Sequence, residues 1–235
     1  MATIEASTHA DAYKIGMLGA ILSTIGILTS GPIAVLVVAL VHPQPLWDGP
    51  DLFVENFHRI QTLPFFFGFL LATGSILMLV SIYLLSKKRA TALTALIFMT
   101  IGAAFVMFNY VTQTTLIPAI VHAYTSELGP VLTSLSMSNP SSLPWALEMW
   151  GYGLMGLGTW FATGYFGRSR LERIARFLFI LNGVLSVFGA LTASIDLAGV
   201  FSTAGLVGYG IWNVVYLALA VTFYRVLQEN RNVRP

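Results

Sequence analysis

Residues 63–121 read LPFFFGFLLATGSILMLVSIYLLSKKRATALTALIFMTIGAAFVMFNYVTQTTLIPAIV. Two apolar runs, Leu63 to Leu85 and Ala92 to Val121, flank the basic turn SKKRA. A hydrocarbon core about 30 Å thick is crossed by roughly 20 helical residues rising 1.5 Å each, so either run can span it. In lipid the backbone must satisfy its own hydrogen bonds, which makes each run a helix. The alternating ten-residue strands of a barrel are missing. Lys87, Lys88 and Arg89 hold the turn at one membrane face. The stretch is a tight hairpin of two membrane helices, and it sets the class of the whole chain.

Working outward, four more runs share this character: Ile15 to Val41, Trp145 to Phe166, Ile174 to Asp196 and Phe201 to Leu227. The expectation is an all-α polytopic membrane protein with six transmembrane helices spanning about 15–41, 63–85, 92–121, 145–166, 174–196 and 201–227. Short tails, 1–14 and 228–235, complete one transmembrane domain. Composition agrees, with 56% hydrophobic and only 9% charged residues, outside the range of a soluble domain. The first run is too long for a signal-peptide core and is read as a retained span.

Basic residues orient the bundle. Eleven of the twelve Lys and Arg fall before the first span, in or around the second-to-third and fourth-to-fifth turns, or at the closing end of the chain from Arg225; Arg59 is the exception. The positive-inside rule then puts both termini in the cytoplasm of a cell whose inner (plasma) membrane holds the protein. The loops 42–61 and 122–144 face outward. Five or seven spans would scatter the same charges over both faces. This distribution explains the net charge of +2 by topology, and no basic stripe suited to nucleic acid is left. In the first outer loop, DLFVENFHRI carries Leu52, Phe53, Phe57 and Ile60 at near-helical spacing, which predicts a short interfacial helix capped by Asp51.

The candidate site comes from polar residues that share one depth. Asn109 lies about 25 Å up the third helix from Ala92, and Gln113 is one turn higher on the same face. Glu148 lies one turn inside the fourth span with Tyr152 one turn further along, and Asp196 ends the fifth. Glu148 and Asp196 are the only acidic residues within the six runs, and no Lys or Arg lies deep enough to neutralise them. A carboxylate at that depth needs water, a cation, hydrogen-bond donors or a proton. The reading is an outward-facing polar cavity that binds or transports a small polar or cationic solute, with Glu148 as the charged contact. Asn109, Gln113 and Tyr152 orient the solute, and Asp196 assists. Structural roles compete: Asp196 as a cap for DLAGVFSTAG, and Asn109 and Gln113 as interhelical hydrogen-bonding pairs.

Two other classes fit the same residues. One is a membrane enzyme acting on a lipid or lipid-linked substrate, with Glu148 or Asp196 as base beside His58 or His122; no catalytic residue is assigned to it. The other is an accessory subunit that joins a larger membrane complex, or a second copy of itself, through the glycine-rich GYGLMGLG of the fourth span. No metal motif is present, there is no cysteine, and no cofactor is implied: a retinal lysine and a pair of haem-ligating histidines within the spans are both missing. Asn213, near the middle of the sixth helix, is expected to bond a neighbouring helix, at Asn182, Thr192 or backbone opened by Pro32.

Overall fold

A computed structural model describes residues 2–233, and no strand occurs among them. Helix α1 (Ala2–Leu28) passes through a π-helical turn (Thr29–Ile33) into α2 (Ala34–Val41). The first loop holds α3 (Pro50–Glu55) and a 3₁₀ turn (Arg59–Thr62) leading into α4 (Leu63–Leu85). After the basic turn, α5 (Arg89–Val111) continues through a second π-helical turn (Thr112–Leu116) into α6 (Ile117–His122). The second loop holds α7 (Gly129–Leu135); then come α8 (Leu143–Ala162), α9 (Arg170–Ile195) and α10 (Thr203–Val233). Five of these continuous helical stretches are long and apolar enough to cross a membrane: His9–Val41, Arg59–Leu85, Arg89–His122, Arg170–Ile195 and Thr203–Asn232. The chain is therefore a multi-pass membrane protein.

Helix α8 is the expected span that falls outside that set, and its composition explains why. Its 20 residues include Glu148, Tyr152, three tryptophans and four glycines. Its surroundings compensate, because α8 is packed between α5 and α9. All four glycines lie inside those two contacts. Gly151 and Gly158 face α5, Gly153 and Gly156 face α9. A Cβ on Gly158 would stand 2.9 Å from the Ala95 carbonyl oxygen, and one on Gly153 2.7 Å from the Ala190 Cβ. Backbones this close require glycine.

The long helices form a closed ring in chain order: α1 against α4, α4 against α5, α5 against α8, α8 against α9, α9 against α10, and α10 back against α1. Consecutive helices run antiparallel, so the ring has a basic end and a loop end. At the basic end, Lys88 lies beside the turn Thr163–Tyr165, and Asn230 of α10 donates to Glu172 at the start of α9. Helix α9 begins with a capping box: the Ser169 hydroxyl accepts from the Glu172 N–H, and the Glu172 carboxylate from the Ser169 N–H. Every described Lys and Arg except Arg59 belongs to this end; Arg234 lies outside the described residues.

The terminal helices run past the expected spans, α1 from Ala2 and α10 to Val233. Pro32, expected to kink the first span, sits in its π-helical turn. A residue without an N–H cannot close the i to i−4 bond, and the chain widens locally. The expected helix of the first loop forms as α3, but its N-cap is Gly49 and Asp51 lies inside its first turn, and Phe53 is buried with Ile117, Ile120 and Leu132, so α3, α6 and α7 build a small apolar cap over the loop end. The Tyr124 hydroxyl donates to Asp51 at 2.6 Å and ties this cap together.

Candidate functional site

Helix α8 begins at Leu143, so Glu148 lies about 8 Å below the loop end at 1.5 Å per residue. The packing of α8 against α5 sets its carboxylate opposite Asn109 and Tyr110. Glu148 is 9% exposed and Asn109 fully buried. The Asn109 amide donates to Glu148 Oε2 at 2.7 Å, and the Tyr110 hydroxyl to Oε1 at 3.0 Å. The Tyr152 hydroxyl lies 2.8 Å from that of Tyr110. Neither carboxylate oxygen meets a basic side chain; Lys14 with Asp11 is the ion pair found among the described residues.

A lid covers this cluster. Gln113, one turn above Asn109, donates through Nε2 to the Asn109 Oδ1 at 3.3 Å and to the Leu135 carbonyl at 2.8 Å, while its Oε1 accepts from the Met137 N–H at 3.1 Å. The Met137 sulfur accepts a weak bond from the Asn109 amide, and the Met137 carbonyl accepts from the Trp145 indole at 2.7 Å. Gln113 thus clips the end of α7 over Glu148 using both ends of its amide. Gln113 itself is buried inside the second π-helical turn.

Aromatic rings extend the cluster across the ring of helices. Tyr110 sits between Phe65 and Phe69 of α4, with centroids 5.8 and 5.6 Å away. Tyr152 meets the edge of Trp212 on α10 at 4.8 Å, and Trp212 contacts Tyr209 and Tyr216. The Trp212 indole donates to the Ser186 hydroxyl at 3.0 Å, and the Tyr216 and Ser75 hydroxyls are hydrogen-bonded.

Of the residues expected from the sequence, Glu148, Asn109, Gln113 and Tyr152 meet in one hydrogen-bonded cluster. Asp196 does not join it: exposed at the end of α9, it accepts through its backbone carbonyl from the Gly199 N–H. His58 accepts from the Ile60 N–H and packs on His42, 4.7 Å between centroids, while His122 is exposed at the end of α6. Neither histidine makes a hydrogen bond to Glu148. No group of three or more metal-ligating side chains occurs among the described residues. Asn213 donates within its own helix, to the Tyr209 carbonyl, and its unpartnered Oδ1 is turned toward Gly31. Asn182 instead bridges α9 to α8 through the Thr159 hydroxyl at 3.1 Å.

Sequence reasoning missed Tyr110 and the lid. Tyr110 adjoins Asn109, and the signal was a long side chain able to reach the same carboxylate from a neighbouring helical position. The lid contacts run through the backbone of Leu135 and Met137, which no side-chain pattern announces. Comparison of the chain with protein-family models, with curated proteins and with solved structures finds no match.

Proposed function

We propose that this is a six-span plasma-membrane protein with cytoplasmic termini that binds a small organic cation at Glu148, in the outer half of the bundle. On this reading α8 is the sixth crossing, and the basic end lies inside by the positive-inside rule. The observation that carries the proposal is a membrane-buried carboxylate with aromatic neighbours and no basic partner. A carboxylate offers about four acceptor positions. Asn109 and Tyr110 use two of them. An ammonium group would take up the remaining charge within the aromatic surroundings of Tyr110, Tyr152 and Trp212. The lid tied by Gln113 supports an occluded binding site that opens by movement of residues 135–137, as in a carrier, over a continuously open channel.

The test is titration of the full-length protein in lipid nanodiscs with tetramethylammonium, followed by tryptophan fluorescence, since Trp212 packs on Tyr152. Wild type should saturate, and Glu148→Gln, which keeps the shape but removes the charge, should bind at least about tenfold more weakly, or about 1.4 kcal/mol. Equal affinity in the two proteins, or no saturation of the wild type, ends the proposal.

A further inference from the structure

Arg59 breaks two patterns at once. It is the one described basic residue at the loop end, and its guanidinium makes no ion pair or hydrogen bond with any described residue. Arg59 is exposed and unpaired, so its planar fork of donors is free to hold an anion. The surroundings indicate what kind. Arg59 lines a cleft of about 460 Å³ between the start of α4 and the strand of helix running from the second π-helical turn into α6. Phe66, Pro118 and Ala119 form its apolar side; Thr115 and His122 share its polar side with Arg59. Thr114, also in the wall, already donates to the Tyr110 carbonyl at 2.7 Å, whereas the Thr115 and His122 side chains make no hydrogen bond among the described residues.

The depth fits as well. The 23 residues of α4 rise about 35 Å, slightly more than a hydrocarbon core of about 30 Å. Arg59 precedes α4 by one 3₁₀ turn and Phe66 lies one turn inside it, so a bilayer centred on α4 would put Arg59 near the lipid phosphates and Phe66 beside the first acyl carbons. Thr114 and Thr115 of the cleft wall belong to the second π-helical turn, a helix irregularity of the kind that recurs at functional sites.

We infer that this cleft binds a phosphate ester, held by the Arg59 fork with the Thr115 hydroxyl and a His122 N–H as further donors. The apolar side and the boundary position favour the phosphate of a glycerophospholipid in the adjacent leaflet over a free phosphate from solution. The site is separate from Glu148, and neither Arg59 nor His122 touches that cluster.

Native mass spectrometry of the delipidated full-length protein, with phosphatidylglycerol added back, tests the inference. Wild type should retain one phosphatidylglycerol and melt at a higher temperature with it. Arg59→Gln should reduce retention at least tenfold, and Arg59→Lys, which keeps the charge but loses the fork, should fall between them. Lys87→Gln, at the opposite end, should behave as wild type. Far-ultraviolet circular dichroism and the melting temperature of lipid-free Arg59→Gln report whether the variant folds; Thr115→Val supplies a second, milder lesion with the same expected direction. Displacement of the lipid by glycerol 1-phosphate would support the phosphate chemistry and assign the source to solution. Unchanged retention in Arg59→Gln, or equal binding of a phosphate-free diacylglycerol glycolipid, would overturn the inference.

Discussion

The two ends of the ring are built on opposite principles. At the basic end Phe166 meets Phe179 and Phe223 edge to face and those two rings are tilted on each other, with centroids 4.8 to 6.3 Å apart, beside fully buried Ile82 and Leu227. At the loop end the buried groups include the polar side chains of Glu148, Asn109, Gln113 and Tyr110 beneath the small apolar cap of Phe53, Ile117, Ile120 and Leu132. Both π-helical turns lie in this half, and no Cβ on Gly208 or Gly210 would meet any atom within 4 Å. The difference separates two kinds of burial. One half holds the helices together by dispersion and close packing. The other buries a hydrogen-bonded polar cluster around Glu148.

The largest expected effect probes that division directly. Phe179→Ala should destabilise the protein by about 3–5 kcal/mol, because a fully buried ring leaves a cavity that rigid neighbours cannot fill. Phe188→Ala, two and a half turns along the same helix and 65% exposed, should cost less than about 0.5 kcal/mol. Unfolding in mixed micelles with increasing sodium dodecyl sulfate compares the two. Similar losses would mean that both halves of α9 are equally packed, and the contrast between the ends would fail.

A smaller effect is expected at the lid. Gln113→Leu removes the bonds to the Leu135 carbonyl and the Met137 N–H, each worth about 0.5–1.5 kcal/mol. Global stability should fall by about 1–3 kcal/mol, less than for Phe179→Ala, and amide exchange at Met137 and its neighbours should rise at least about tenfold, the ratio for about 1.4 kcal/mol. Exchange unchanged from wild type would show that the Trp145 bond and the apolar cap hold the lid without Gln113.

How far the sequence reached depends on the kind of interaction. The SKKRA turn, the apolar runs and the clustering of basic residues specify the hairpins, because length and hydropathy act locally and additively. Glu148 and Asn109 were legible as polar groups at one depth that each need a partner, whereas the direct bond from the Asn109 amide to Glu148 is set by the packing of α8 against α5. Gln113 was legible as a polar residue on that face, but its grip on α7 depends on a loop whose path only tertiary packing decides. The glycines of α8 show the same limit. Their spacing signals close helix contact, whereas only the fold divides them between α5 and α9, leaving none of the four for a partner outside the chain. Asp196 matched the depth of the others, yet depth alone does not bring a residue to the same face of a ring.

The smallest effect lies on the cap above the loop end. Tyr124 donates its phenolic proton to Asp51, and that bond holds the proton on and raises the phenol above its ordinary 10.0. The sign follows: the bond's contribution is complete below pH 10.0 and disappears as pH rises through the raised value, when phenolate and carboxylate repel. The difference in phenolate absorbance between wild type and Tyr124→Phe isolates this one titration among the nine tyrosines. Its midpoint should lie above 10.0, and Asp51→Asn should bring it back toward that value. Because the pair is at the solvent boundary, global unfolding should be nearly unchanged while protease sensitivity between α6 and α7 rises slightly at high pH. A midpoint at or below 10.0 would mean that Asp51 and Tyr124 do not stay joined, leaving the cap held by Phe53 and its apolar neighbours alone.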